Sequence, residues 1–129
     1  MENRKGEQEL TFGEFIKARR ESLGKSLRGF AVEIDITAPY LFDIEKGNRP
    51  APDKKLDILI EALNITGDDL NTFYDLAGKT RKNHFHDLQD YIGNSDYARV
   101  ALRTARDKNI SDTRWREIIT LMEEPPEEK

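Results

Sequence analysis

The chain contains no cysteine, which excludes disulfides and thiolate-held metal. No apolar run is long enough for a signal peptide or a membrane span, so a cytoplasmic protein is expected. Its two histidines, His84 and His86, stand two positions apart and do not share a helix face, so no metal site is expected. There is no P-loop, no glycine-rich dinucleotide turn, no nucleophile elbow and no H-E-x-x-H. Neither a catalytic residue nor a cofactor is therefore expected. A basic excess is missing too: 25 acidic side chains outnumber 21 basic ones, for a net charge of −4 over 129 residues. That balance weighs against phosphate-rich partners, although what matters is where the cations sit.

What is present is a dense series of helix signals, the most informative of them between Ser26 and Arg49 (SLRGFAVEIDITAPYLFDIEKGNR). Ser26 can cap a helix whose apolar residues Leu27, Phe30, Ala31 and Ile34 recur at i, i+3, i+4 and i+7. Asp35-Ile36-Thr37 then offers a residue that tolerates positive φ, an apolar plug and an N-cap for a second helix bearing Leu41 and Ile44. Pro39 lies in the first turn of that helix, where a missing N–H costs nothing, and Gly47 stops it. Two helices this short need neighbours to be stable, and the outer side of the second is left free to enter a groove. From Lys17 to Arg49 seven basic residues face five acidic ones, so this region is locally positive.

The surrounding chain supplies the neighbours. Thr11 with Glu14 reads as a capping box, opening a helix that Gly24 ends and whose inner stripe is Phe12, Phe15, Ile16 and Leu23. Pro50 and Pro52 hold the following loop open until Asp53, from which Leu56, Leu59, Ile60 and Leu63 mark a core-facing helix. A fifth helix starts at Gly67-Asp68-Asp69, turns Leu70, Phe73, Tyr74 and Ala77 inward, and is expected to stop at Gly78. Residues 11–79 thus read as one all-α domain behind a flexible segment, 1–10.

Beyond Lys79 the stretch KTRKNHFHD looks linker-like, and Leu88, Tyr91 and Ile92 form a short apolar patch ended by Gly93. Ser95 can cap a helix with a small-residue stripe, Ala98, Ala101, Leu102 and Ala105. Ser111 can cap another with Trp115, Ile118, Ile119 and Met122 on one face. This C-terminal helical hairpin, within an extension over 80–124, is too small to bury such a face alone. It must dock on the first domain, on a second copy or on a partner. The Pro- and Glu-rich end, from Glu123 and above all 125–129, is expected to be disordered.

The five-helix domain resembles the Cro/C1-type (XRE-family) helix-turn-helix repressors. The resemblance is carried by Arg20, Ser26-Leu27, Phe30-Ala31, Ile36-Thr37, Tyr40-Leu41, Ile44-Glu45-Lys46-Gly47 and Arg49-Pro50. It covers roughly Phe12 to Ala77 and implies the lambda-repressor-like fold. Two positions depart from the pattern: Asp35 replaces the usual turn glycine, and Phe42 stands where a small polar residue is common. The resemblance places Thr37, Ala38, Pro39, Tyr40 and Asp43 at the base-reading front of the recognition helix. Ala38 and Pro39 could touch thymine methyls, Asp43 could accept from a cytosine amino group, and Tyr40 could reach a base edge, reach a phosphate or simply pack. No arginine or asparagine is available there for bidentate readout, so DNA shape could contribute to selection. Arg28, Lys46, Asn48 and Arg49 are the phosphate-gripping candidates. Arg20 and Glu45 are implied to pair structurally, pinning the recognition helix to the first helix.

The function implied is a transcriptional regulator, a repressor that binds an inverted-repeat operator in double-stranded DNA as a homodimer, located at the nucleoid when bound. The C-terminal helices, with Trp115, Ile118, Ile119 and Met122, would form the dimer or a protein-partner interface. Two alternatives stand beside it: an antitoxin that autoregulates its promoter, and a protein-interaction adaptor that uses the same fold without DNA.

Overall fold

The computed structural model describes residues 10–125, and every regular element among them is helical. The flexible segment expected over 1–10 and the tail expected over 125–129 lie outside the described residues except for Leu10 and Pro125. Two compact units divide the chain, Met1–Asp87 and Leu88–Lys129.

The first unit contains α1 (Phe12–Ser22), α2 (Leu27–Glu33), α3 (Ala38–Lys46), a 3-10 turn (Asp53–Lys55), α4 (Leu56–Ala62) and α5 (Asp68–Thr80). The caps form where local chemistry favours them. Glu14 N donates to Thr11 Oγ1 at 3.1 Å while Thr11 N donates to Glu14 Oε1 at 3.0 Å, completing the capping box. Ser26 Oγ accepts from Gly29 N at 3.0 Å, and Thr37 Oγ1 accepts from Tyr40 N at 3.2 Å. Asp35 takes φ +58° in the turn between α2 and α3, and Gly47 ends α3 at φ +84°.

Phe12, Ile16, Phe30, Ile34, Leu41, Ile44, Leu59, Leu63, Ile65 and Phe73 make up most of the buried core. Fully burying such side chains is worth about 1.5–3 kcal/mol each, which is what holds the short α2 and α3 in place. Phe73 packs edge-on against Phe12 at 5.3 Å and against Tyr74 at 5.5 Å between ring centroids.

In the first unit four sequence expectations need correction. Leu23 is not part of the inner stripe; it occupies the C-cap of α1 and is exposed, because the chain has already begun to turn toward Gly24 at φ +72°. The helix expected from Asp53 begins as a 3-10 turn and becomes α-helical only at Leu56. Gly78 does not end α5, which runs on to Thr80; it is buried, and the Phe85 ring lies where a Cβ would be, with Cδ1 at 2.3 Å from that position. The charged stretch after Lys79 belongs to the first unit's packing. Arg81 Nη1 pairs with Asp53 Oδ1 at 3.1 Å, Arg81 Nη2 donates to the Ala51 carbonyl, and His86 Nδ1 lies 3.3 Å from Asp53 Oδ2.

The second unit contains α7 (Asp96–Lys108) and α8 (Asp112–Glu123), joined through Asn109 at φ +52°, and most of α6 (His86–Asn94). Ser95 and Ser111 cap α7 and α8 as expected. A full helix, α6, stands where only a short apolar patch was expected, and Gly93 lies inside it. Arg99 Nη1 reaches back to donate to two of its last carbonyls, Ile92 O at 2.8 Å and Gly93 O at 2.7 Å. Glu123, expected in the disordered tail, is the last residue of α8. No described residue of this unit is buried.

Candidate nucleic-acid interface

Helix α3 is the centre of the site, and two devices fix it against α1. The first is steric. A Cβ on Gly13 would stand 2.4 Å from both the Ile44 and the Glu45 carbonyl oxygens, so the α1 backbone approaches α3 more closely than any residue with a side chain permits.

The second is ionic. Arg20 Nε donates to Glu45 Oε2 at 2.7 Å and Arg20 Nη2 to Glu45 Oε1 at 3.0 Å, a bidentate pair with only 8% and 4% of the two side chains exposed. Arg20 Nη1 also donates to the Lys25 carbonyl at 2.9 Å, tying the α1–α2 junction into the same cluster. The hydrogen-bonded Glu45 carboxylate raises the Arg20 guanidinium above its ordinary range, with burial opposing. Such a pair orients more than it stabilises, because desolvation offsets much of the attraction.

With Leu41, Ile44 and Glu45 turned inward, helical spacing leaves Pro39, Asp43 and Lys46 on the outer side of α3, flanked by Tyr40 and Phe42. Of the residues expected to read bases, Thr37 and Pro39 are exposed, whereas Ala38, Tyr40 and Asp43 are half-buried, Ala38 and Tyr40 being packed against the core. The Thr37 hydroxyl is engaged as the N-cap.

Arg28, Lys46, Asn48 and Arg49 are all exposed. Arg28 stands in the first turn of α2. Asn48 N donates to the Asp43 carbonyl at 2.9 Å, which folds the segment after Gly47 back along α3. Two cations here face aromatic rings: Arg49 Cζ lies 3.8 Å from the Tyr40 ring centroid, and Lys46 Nζ lies 5.5 Å from that of Phe42. Lys25 is committed internally, to Glu33 at 2.9 Å and to the Ala62 carbonyl at 3.0 Å.

Beside α3 lies an open cleft of about 530 Å³, lined by α1 residues Glu14, Lys17, Arg20 and Glu21 and by Phe42, Glu45 and Lys46 of α3. Phe42, 46% exposed, forms part of its wall.

Gly13 and Lys17 escaped sequence reasoning. Gly13 carried a usable signal, since a glycine inside an otherwise well-capped helix marks either wasted stability or a close backbone approach. Trp115 and Ile118 are half-buried, while Ile119 and Met122 are 46% and 68% exposed, all on α8 of the second unit. Among the described residues no group of His, Cys, Asp or Glu could hold a metal ion, and no helix is long and apolar enough to cross a membrane.

The helix-turn-helix family model matches residues 16–70, from the middle of α1 to the start of α5. No curated protein and no solved structure matches the chain.

Proposed function

We propose that this chain, which over residues 16–70 belongs to the Cro/C1-type helix-turn-helix family of DNA-binding regulators, represses transcription by occupying an inverted-repeat operator as a homodimer. The observation that carries the reading is the outer side of α3. A capped, rigidly held helix presents Pro39 and Asp43 outward, with Thr37 and Ala38 at its start, and the exposed cations Arg28, Lys46 and Arg49 around it.

In a major groove, Pro39 and Ala38 supply apolar contact for thymine methyls and Asp43 an acceptor for a cytosine amino group. Arg28, Lys46, Asn48 and Arg49 grip phosphates and set the register without reading sequence. Because three or four cations per subunit are few, affinity should be modest and its salt dependence shallow. A slope of log affinity against log salt of about −5 to −7 is expected for two subunits. Half-sites should lie ~34–36 Å apart, one turn of DNA. The apolar face of α8, Trp115, Ile118, Ile119 and Met122, is assigned to the dimer interface.

Selection of bound sequences from a random duplex pool tests the reading, combined with sedimentation of the intact protein at tens of micromolar. The expected result is an inverted repeat bound by a dimer. Failure to retain any duplex at low salt would leave the protein-interaction adaptor as the better account, which the net charge of −4 favours. A monomer with intact DNA binding would instead assign the α8 face to a different protein, as in the antitoxin reading.

A further inference from the structure

We infer that Tyr40 acts as a positioning residue for Arg49, holding its guanidinium flat against the phenol ring so that the free donor edge meets one DNA phosphate. The inference rests on the DNA-binding reading above and adds to it a role that the position of Tyr40 on the recognition helix does not by itself suggest.

Three observations carry it. The Arg49 guanidinium carbon is 3.8 Å from the Tyr40 ring centroid, the closest cation–ring approach among the described residues. Arg49 is exposed and makes no side-chain hydrogen bond or ion pair among them, so its five N–H donors are unused. The ring itself is anchored: Tyr40 lies in the first turn of α3, its N–H is bound by the Thr37 cap, and its side chain packs against the core.

These facts fit together physically. Arg49 follows Gly47 in an irregular segment and would otherwise be a long side chain sampling many rotamers, whose ordering must be offset on binding. Stacking restricts it before DNA arrives. A guanidinium held over a ring face keeps the N–H edge of its planar fork free, and such a fork matches two phosphate oxygens. The Lys46–Phe42 pair is no substitute, because an ammonium at 5.5 Å has no fork to orient.

A double-mutant cycle in the full chain tests the assignment, with Tyr40→Leu, Arg49→Ala and the pair measured on a selected duplex at several salt concentrations. Leucine keeps apolar bulk against the core and removes the ring face, and thermal melting verifies that each variant is folded. Tyr40→Leu should weaken binding about three- to tenfold per bound subunit, with the salt slope unchanged because no charge is lost. In the Arg49→Ala background the same substitution should cost less than about twofold, since Tyr40 then has nothing to position. Tyr40→Phe should retain the wild-type affinity, and Arg49→Lys should weaken binding although its charge is kept. Equal losses from Tyr40→Leu in both backgrounds would overturn the inference, as would Tyr40→Phe behaving like Tyr40→Leu, which would make the hydroxyl the contact. If the intact protein binds duplex DNA and the cycle is additive, only this inference falls; if it binds none, the DNA reading falls and takes this with it.

Discussion

Replacing Gly13 by alanine is the sharpest test of how α3 is held. The new methyl would lie 2.4 Å from two backbone carbonyl oxygens of α3, and neither can swing aside as a side-chain tip could. Ordinary contact begins about 1 Å further out, so the first turn of α1 and the end of α3 must separate by roughly that distance. Forcing a methyl into a packed interface costs about 1–3 kcal/mol, and two backbone obstacles that cannot swing aside put this case in the upper part of that range, about 2–3 kcal/mol. Alanine recovers up to ~1 kcal/mol through helix propensity, leaving a net loss of about 1–2 kcal/mol. For a domain of this size that corresponds to a fall in melting temperature of roughly 4–16 °C. Separation would also strain the Arg20–Glu45 pair, and the recognition helix would sit differently on its scaffold, so duplex affinity should fall by more than the unfolded fraction explains. Calorimetry with equilibrium binding measures both. A Gly13→Ala protein with unchanged melting temperature and unchanged affinity would refute the close-approach argument.

Arg20→Ala should destabilise by about 3–5 kcal/mol, because it strands the Glu45 carboxylate in a buried site, whereas Arg20→Met combined with Glu45→Leu should be near neutral; chemical denaturation distinguishes them. Burial, with the nearby Asp57 and Asp87 charges, raises the Tyr74 hydroxyl above its ordinary range. The folded protein therefore keeps this proton where the unfolded chain has lost it. The contribution of Tyr74 to stability is complete below about pH 10 and lost as pH rises through the folded-state value, a decline that Tyr74→Phe should reduce in denaturation curves between pH 9 and 12. A chain ending at Asp87 should melt higher than one ending at Lys79, because only the longer one keeps Phe85 over Gly78 and Arg81 on Asp53; equal melting temperatures would show that the segment adds nothing.

The parts of the fold that were legible in sequence are those whose causes lie within a few residues. Thr11 with Glu14, Ser26, Thr37, Ser95 and Ser111 each cap a helix through a donor three positions away, so spacing alone suffices. Asp35 could be placed in the left-handed turn because short polar side chains tolerate it, and the apolar periodicity of α2 to α5 located the core. What was not legible joins distant residues. Gly78 looks like a helix stop until Phe85 is seen to occupy the space beside it, and the 79–87 stretch looks like a linker until Arg81 is seen to meet Asp53. Charge composition describes a segment's solubility, not whether one of its arginines finds a carboxylate some thirty positions earlier. In the site, Tyr40 and Arg49 are separable by type and position, but their stacking depends on how the chain returns after Gly47.

The second unit raises a different kind of question, one of linkage. It spans about 40 residues, near the lower limit at which a chain folds without disulfides, metal or association. Cysteine is absent and none of its described residues is buried, so its three helices do not form a core of the kind that holds the first unit together. Caps and local pairs such as Arg99 with Asp96 contribute a few tenths to about 1 kcal/mol each, too little to offset the ordering of helices this short. If the face of Trp115, Ile118, Ile119 and Met122 is closed by a second copy, folding of this unit and dimerisation become one equilibrium. Its apparent stability must then rise with protein concentration, by ~1.4 kcal/mol for each tenfold increase when dissociation and unfolding coincide. Tryptophan fluorescence isolates the effect, because Trp115 is the chain's only indole and lies in α8. A Trp115 melting midpoint that moves upward between about 1 and 100 µM is the result required of a homodimer. A midpoint independent of concentration would exclude a second copy from this face, and dimerisation would have to be sought on another surface.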